Sequence, residues 1–597
     1  MQGARAAFTP DMLFIFDTNM LGGPMNLLRL TLFVLVLALG SGCRSFHPDN
    51  MLATLIEERM PLQGTFSGDY VRRSDPSYFD YETLRSLIEH PKPEGALAQQ
   101  LDTFWRTPII DNEAWYAGHR PELAANQTLG TFLRFTQWNI EQSLEMPRVI
   151  EALSSPEAYA EMISPRHTAE GDPLHERMMR QRARLAASDI IILEEMDIGL
   201  PRSGYRDAAG ELAGALNMNY AYGVQYLEID PVQMGLEPPS STIKGASTEI
   251  KEVDTHAYKG LFGSAILSRY PIKQVTLHPL KYQAHDWHSG ELDRFGPLEK
   301  GRRLGSELLF KNTIHRELKV GGRNFFRIDL EVPGLPDNTL SVIVIHLEIK
   351  CPPKARDAQI QEILGYIKDI PHPVIMAGDF NSAPSDISKT SVLKVARHTL
   401  ANPRIYLSLA LNVATTFGTF FSEGRWLFNA TKNYHSPLAA DIPVIAPNPI
   451  RPMFDHIEAF RFRDGQRFDW AGNREHSING ASRALANSNQ RDIKGHVTSF
   501  TVRRPLGPVG KYRLDWIFVK HPPGPDRFFA PTNGETLKAF NKYLVHPFSD
   551  HRACIVDLPF PQGRVWPVGS QPIDAKNRIP LRKARKPATG KTDPAGG

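Results

Sequence analysis

The chain has 597 residues, 41% of them hydrophobic and 22% charged, a globular composition with enough apolar material for a large core and room for further segments. A net charge of +4 names no partner, and with Cys43 set aside the two remaining cysteines, Cys351 and Cys554, make no disulfide scaffold and lack metal-finger spacing, their pairing left open by the sequence. The charge is uneven: Arg564 to Gly597 carries eight Lys/Arg against two Asp/Glu, so the Pro- and Gly-rich tail (561–597) is expected to be basic and disordered, and the rest of the chain slightly acidic.

Taken in order, the chain begins with an upstream segment and a signal (1–43). From Met25 onward one basic residue, an apolar core from Leu32 to Leu39 and then small residues have the form of an export signal. That core is too short to span a bilayer, which takes about 20 residues. The ending Leu39-Gly40-Ser41-Gly42-Cys43 resembles a bacterial lipoprotein signal, with Gly40 standing where that pattern prefers Leu. The expectation is a start at Met25, lipid attachment at Cys43 as a membrane anchor, and export to the outer membrane or periplasm of a bacterium, or otherwise secretion. Residues 44–129 mix helical patterns (Tyr81 to Ile88, Ala96 to Trp105) with Pro-rich turns and read as a helical extension and linker.

From residue 130 to 560 the pattern becomes that of one α/β domain. Thr131 to Ile140 alternates apolar residues and ends on Asn139, so it is a strand with a polar tip. A helix over Arg177 to Ala187 leads to a buried strand, Asp189 to Glu195, which closes on two carboxylates. A buried carboxylate is costly unless paired or metal-bound, so Glu195 is one or the other. Strands follow at Tyr220 to Leu227, Gly263 to Ile272, Phe325 to Val332 and Leu340 to His346, the last two antiparallel neighbours. An amphipathic helix, Lys354 to Ile367, precedes the apolar run Val374 to Ala377, which Gly378 closes and Asp379 and Asn381 follow. In one reading Asp379 only caps a turn; in the other it is presented at a site. An insertion over about 385–505 separates this from the strand at Arg513 to Val519, which Asp515 interrupts, and from Asp550 and His551 before a last strand, Arg552 to Leu558.

Taken together, Trp138-Asn139-Ile140, Leu193-Glu194-Glu195, His346-Leu347, Arg356 with Gln359, Gly378-Asp379-Phe380-Asn381, Leu514-Asp515-Trp516-Ile517 and Ser549-Asp550-His551 form an ordered set. The set resembles the endonuclease/exonuclease/phosphatase superfamily, which takes in pancreatic-type deoxyribonucleases and bacterial sphingomyelinases. The resemblance implies a four-layer α/β sandwich, two mixed sheets face to face with helices outside, carrying insertions. It also implies a hydrolase of phosphoric ester bonds that depends on Mg²⁺ or Mn²⁺. Glu195, Asn139 and Asp550 would hold the metal, and such hard oxygen donors suit those ions. His551 would activate water, Asp515 would orient it, Asp379 and Asn381 would hold water and a phosphate oxygen, and His346 would donate to the phosphoryl group. The sequence departs from the family at Glu194, where Gln is common.

Arg356 is a candidate substrate contact, weighed against a structural role. The segment Arg461 to Arg513 holds eleven Lys/Arg against four Asp/Glu among aromatics, and in it Arg491 and Lys494 are candidate phosphate contacts; a packed insertion with solvated charges is the equal alternative. The expected function is a phosphodiesterase acting on nucleic acid or a phospholipid head group, with no obligate protein partner evident. The alternatives are a catalytically silent phosphate-ligand binder of the same fold, or an inositol-phosphate-type phosphomonoesterase.

Overall fold

The computed structural model describes residues 57–127, 129–167, 171–229, 253–292, 317–382, 387–388, 444–446, 451–469, 499–506, 509–522 and 528–560. The chain divides into two units, 51–383 with 449–597, and 1–50 with 384–448. The strands in chain order are β1 (Glu58–Pro61), β2 (Arg73–Ser74), β3 (Ile109–Asp111), β4 (Glu122–Asn126), β5 (Gly130–Asn139), β6 (Ile190–Ile198), β7 (Asn219–Glu228), β8 (Leu261–Ser268), β9 (Ile272–Pro279), β10 (Lys319–Gly321), β11 (Asn324–Glu331), β12 (Thr339–His346), β13 (Val374–Asp379), β14 (Ile387–Ser388), β15 (Val444–Ala446), β16 (Phe500–Leu506), β17 (Val509–Tyr512), β18 (Asp515–Lys520), β19 (Thr532–Thr536) and β20 (Cys554–Pro559). In the smaller unit the described residues form the antiparallel pair β14–β15.

The larger unit is built on two sheets. One runs β1-β4-β5-β6-β8-β7-β3-β2, with β20 also on β5, β19 on β20 and β10 on β7; the other runs β18-β13-β12-β11-β9. Both are mixed, because β5 lies parallel to β6 and β12 parallel to β13 within otherwise antiparallel neighbours. Successive side chains of a strand face opposite sides, and here both sides are covered, which is why these strands read as continuous apolar runs. On β6, Ile190 and Ile192 pack between the sheets against Ile328, Val342, Ile375 and Ile517. Ile191 and Leu193 turn the other way, onto Val149, Met178, Leu185 and Leu212 of the helices outside. On the second sheet's far face, Ile343, Met376 and Phe518 meet Ile360, Ile363 and Ile367 of the helix Pro353–Ile367. The result is helix, sheet, sheet, helix: the four-layer α/β sandwich.

Two parts of the chain are built differently from the expectation. The stretch 44–129 supplies not only helices (Tyr81–Ser86, Gly95–Arg106) but four strands, β1 to β4, hydrogen-bonded into the larger sheet. It is part of the sandwich, so the domain begins well before residue 130. At the other end, the helix Arg451–Ala459 packs Met453, Phe454 and Ile457 into the outer core, so the chain rejoins the larger unit about 50 residues before the expected end of the insertion. Phe462 and Phe468 of the basic segment are buried in that same core, as in a packed insertion. Arg491, Lys494, Cys43, the signal and the tail lie outside the described residues. Cys351 and Cys554 are both free thiols.

Candidate active site

The layer between the sheets changes from apolar to polar at one end. Leu133 and Phe135 of β5 belong to it, and the next residues of that parity are Gln137 and Asn139. Ile190 and Ile192 of β6 lead in the same way to Glu194, Val342 and Val344 of β12 to His346, and Ile375 and Ala377 of β13 to Asp379. On the antiparallel β18, Asp515 precedes Ile517 and Val519. Register then sets the polar residues side by side: His346 beside Asp379, Asp379 beside Asp515, and Asn139 beside Glu194.

Glu195 enters by a different device. Pairing of β6 with β8 skips from Glu194 to Met196, and Glu195 itself adopts φ 58, so a bulge takes it out of the alternation. Its Oε1 lies 3.8 Å from His346 Nε2 and accepts from Asn139 Nδ2 at 3.1 Å. Asn139 Nδ2 also reaches Asp379 Oδ2 at 3.2 Å, so one amide ties two carboxylates together. Asp379 uses its other oxygen, Oδ1, to accept the Asn381 N–H at 2.7 Å. Asn381 donates from Nδ2 to the Leu347 carbonyl at 2.9 Å, pinning this loop to the one that follows His346.

His551 sits between two acids. Its Nδ1 is 2.9 Å from Asp515 Oδ2, and its Nε2 is 3.8 Å from Asp379 Oδ2. The loop that presents it is held from behind: Ser549 Oγ donates to the Asn139 carbonyl at 2.8 Å and accepts from the His551 N–H at 3.0 Å. Burial alone would lower the pKa of His551, but Asp515 and then Asp379 outweigh burial and raise it well above the ordinary value. Burial pushes Asp379 up to about 7, with His551 pulling it down and Asp515 and Glu195 adding to the rise. Burial, then Arg323, holds His346 well below the usual histidine range, so its imidazole is neutral. Asp550 lies between the loop-borne Ser549 and His551 and donates its backbone N–H to Glu141 Oε2 at 2.8 Å.

Two groups on this wall were not among the residues singled out from sequence as catalytic. Gln137 donates from Nε2 to Glu194 Oε2 at 2.9 Å and to Asp515 Oδ1 at 2.7 Å. Burial, then Asp515, pushes the Glu194 pKa well above the carboxylate range. The alternation of β5 and β6 is the signal that points to both. Arg323, just before β11, is buried with Nη1 on Gln225 Oε1 at 3.0 Å and Nε 3.4 Å from Glu348 Oε2. No periodicity marks it. Arg356 is placed differently from the substrate contact considered for it: it is buried, donating to Ser382 Oγ at 3.0 Å and to the carbonyls of Glu348 and Cys351 at 3.1 and 3.2 Å. It braces the loop after His346.

The donor set fits a hard divalent cation. The Asn139 amide joins Glu195 to Asp379, and Asp515 and Glu195 add to the rise that burial gives the Asp379 pKa. Among the described residues no three His, Cys, Asp or Glu side chains close around a point as in a structural metal cage. Mg²⁺ asks for less than that, since it keeps several waters and takes one or two carboxylates.

A family model described as "Endonuclease/Exonuclease/phosphatase family" matches residues 136–551. No curated protein matches the sequence. Among solved structures, an endonuclease/exonuclease/phosphatase from Beutenbergia cavernae DSM 12333 is similar at 14% identity and TM-score 0.32, over 72% of this chain and 72% of that one. The 3′ phosphatase NExo from Neisseria, solved with a product DNA hairpin, is similar at 14% identity and TM-score 0.31, over 71% and 99%. Beta toxin from Staphylococcus aureus is similar at 12% identity and TM-score 0.28, over 71% and 99%.

Proposed function

The chain belongs to the endonuclease/exonuclease/phosphatase family, and from that premise we propose that it is a Mg²⁺- or Mn²⁺-dependent phosphodiesterase in which His551 activates water. The observation that carries this reading is the placement of His551, hydrogen-bonded through Nδ1 to Asp515 at 2.9 Å while Nε2 faces Asp379 across 3.8 Å. In the unprotonated imidazole that leaves Nε2 to take a proton from a water positioned at Asp379, and the raised pKa makes it a stronger base that needs the higher pH to be free. The water oxygen attacks phosphorus, the P–O ester bond breaks, the departing oxygen takes up a proton from solvent, and His551 releases its proton to solvent to complete the cycle. Asp515 holds the imidazole in orientation and stabilises its charged form. Neutral His346 donates to the phosphoryl oxygen, where negative charge grows. Glu195, Asn139 and Asp550 would hold the metal ion, whose charge would polarise the phosphoryl group and offset the acids around it.

A diester is favoured over a multiply charged monoester by how the bases near His346 are matched. Arg323 lies against Glu348, Lys319 Nζ is 2.5 Å from Glu317, and Lys350 pairs with Glu291. The dense unmatched basic pocket that an inositol-phosphate-type site asks for is not seen among the described residues. Between nucleic acid and phospholipid head group, lipid attachment at Cys43 and export would favour the lipid, and the basic tail would favour nucleic acid. The test is hydrolysis of DNA, RNA, sphingomyelin, phosphatidyl lipids and inositol phosphates with and without EDTA. His551→Ala and Asp379→Ala are each expected to cost about 10²- to 10⁴-fold. Activity that survives chelation or either substitution rules the mechanism out, and unchanged membrane partitioning of Cys43→Ala rules out the anchor.

A further inference from the structure

Asp515 has two oxygens, and the reading of His551 as base uses only one of them. Oδ2 accepts from His551 Nδ1, while Oδ1 accepts from Gln137 Nε2 at 2.7 Å. Gln137 is completely buried and comes from the opposite sheet, so this bond crosses the sandwich immediately behind the catalytic pair. Its second N–H goes to Glu194 Oε2 at 2.9 Å. With acids on both sides, only the amide nitrogen satisfies that position; the oxygen, turned there, would face the lone pairs of Asp515. Nothing else in the geometry asks for a carboxamide here. The strand neighbours of the same parity, Leu133 and Phe135, show that an apolar residue fills such a position when only packing is needed.

We propose that Gln137 is a positioning residue for the reaction: it fixes the carboxylate plane of Asp515 so that Oδ2 meets His551 Nδ1, and Glu194 in turn fixes Gln137. This rests on the reading of His551 as the base and adds the group that sets its partner. A carboxylate on a single bond rotates freely unless both oxygens are held. Loss of the Gln137 donor therefore leaves a buried acceptor unsatisfied and lets the imidazole drift from its aim.

The test uses the full chain with Mg²⁺ and bis(4-nitrophenyl) phosphate. Gln137→Met, of similar shape but without a donor, is expected to lower kcat about 10- to 100-fold, as a small misplacement of a catalytic group does, and to leave KM within about two-fold. In the Asp515→Asn background the same substitution is expected to change kcat by less than about two-fold, since its route to the chemistry is already cut. Gln137→Glu, whose buried acid still has a proton to donate, is expected to recover part of the loss, and it takes the place of Gln137→Met in the cycle if that variant does not fold. Equal losses in both backgrounds, a loss confined to KM, or no loss at all overturns the proposal. An inactive wild type, or a fully active Asp515→Asn, overturns the underlying mechanism.

Discussion

Asp379 shows how one side chain can satisfy both of the roles open to it. Its Oδ1 caps the backbone of Asn381, as in an ordinary Asx turn, which also explains why an Asn with φ 46 follows. Its Oδ2 points instead into the cluster, toward Asn139 and His551. The electrostatic consequence is measurable. The folded protein holds a proton on Asp379 up to about 7, whereas an unfolded Asp releases it near 3.8. Where the folded state binds more protons than the unfolded chain, stability falls as pH rises. That fall runs from about pH 4 to 7 for Asp379, and His551, whose folded pKa is raised above 6.5, extends it upward, because its stabilising charge is lost as pH climbs through the raised value. His346, held below its ordinary value, contributes in the opposite sense up to about pH 6.5, so the check is a difference: in EDTA the thermal midpoint of the wild type relative to Asp379→Asn is expected to decline from pH 5 to pH 8. Mg²⁺ should raise the wild-type midpoint more at pH 8 than at pH 5. A metal-free difference that rises over this interval contradicts the assignment.

At the scale of strands, the site is the point where five runs of inter-sheet residues turn polar, and the same alternation explains what could be read from sequence. The long central strands announce themselves, and so do Asn139, His346, Asp379 and Asp515 at their tips. Gln137 is equally visible once parity is followed, but a glance at strand ends passes over a residue two places earlier. β1 to β4 were hidden for another reason: strands of two to five residues, among Pro and charged neighbours, are too short to show a period. The bulge at Glu195 also has no sequence signal, since it depends on how β8 pairs. Gly378, by contrast, is legible as a necessity. It has φ 144, and a Cβ there would fall on the Ile345 carbonyl of the adjacent strand and 2.9 Å from Glu194 Oε1. Gly378→Ala is expected to destabilise by about 1–3 kcal/mol through backbone strain alone, and to lower kcat because Asp379 is the next residue. Gly365, inside the helix Pro353–Ile367 with nothing within 4 Å of an added Cβ, is the control. Gly365→Ala should stabilise by about 0.5–1 kcal/mol and leave kcat alone. Urea denaturation of both variants checks the pair, and a neutral Gly378→Ala would show that the strand crossing can relax.

In the larger unit the N-terminal stretch extends the first sheet at both ends, and this bears on where that unit begins. β4 and β1 extend the sheet beyond β5, while β3 and β2 extend it beyond β7. The stretch also reaches the other sheet, since the Ser67 N–H and hydroxyl and the Tyr70 hydroxyl all donate to Glu331 of β11. Arg134, buried within β5, takes Glu57 as a partner at 2.6 Å alongside Asp557 at 2.8 Å. Leu84, Leu87, Phe104, Ile109 and Leu123 are each at most 2% exposed. Full burial of such side chains contributes about 1.5–3 kcal/mol apiece, an upper estimate because unfolded chains already bury some of that surface. Five of them together approach about 10 kcal/mol, within the range of a whole domain's stability of roughly 5–15 kcal/mol. A protein beginning at Gly130 is thus expected to lack a cooperative melt and to be inactive on every phosphodiester, even though each candidate catalytic residue is present. One beginning at Met51 keeps all of these contacts and should retain the full-length midpoint and kcat. If the Gly130 version melts cooperatively with near-full activity, the N-terminal strands are an appendage and the sandwich stands without them.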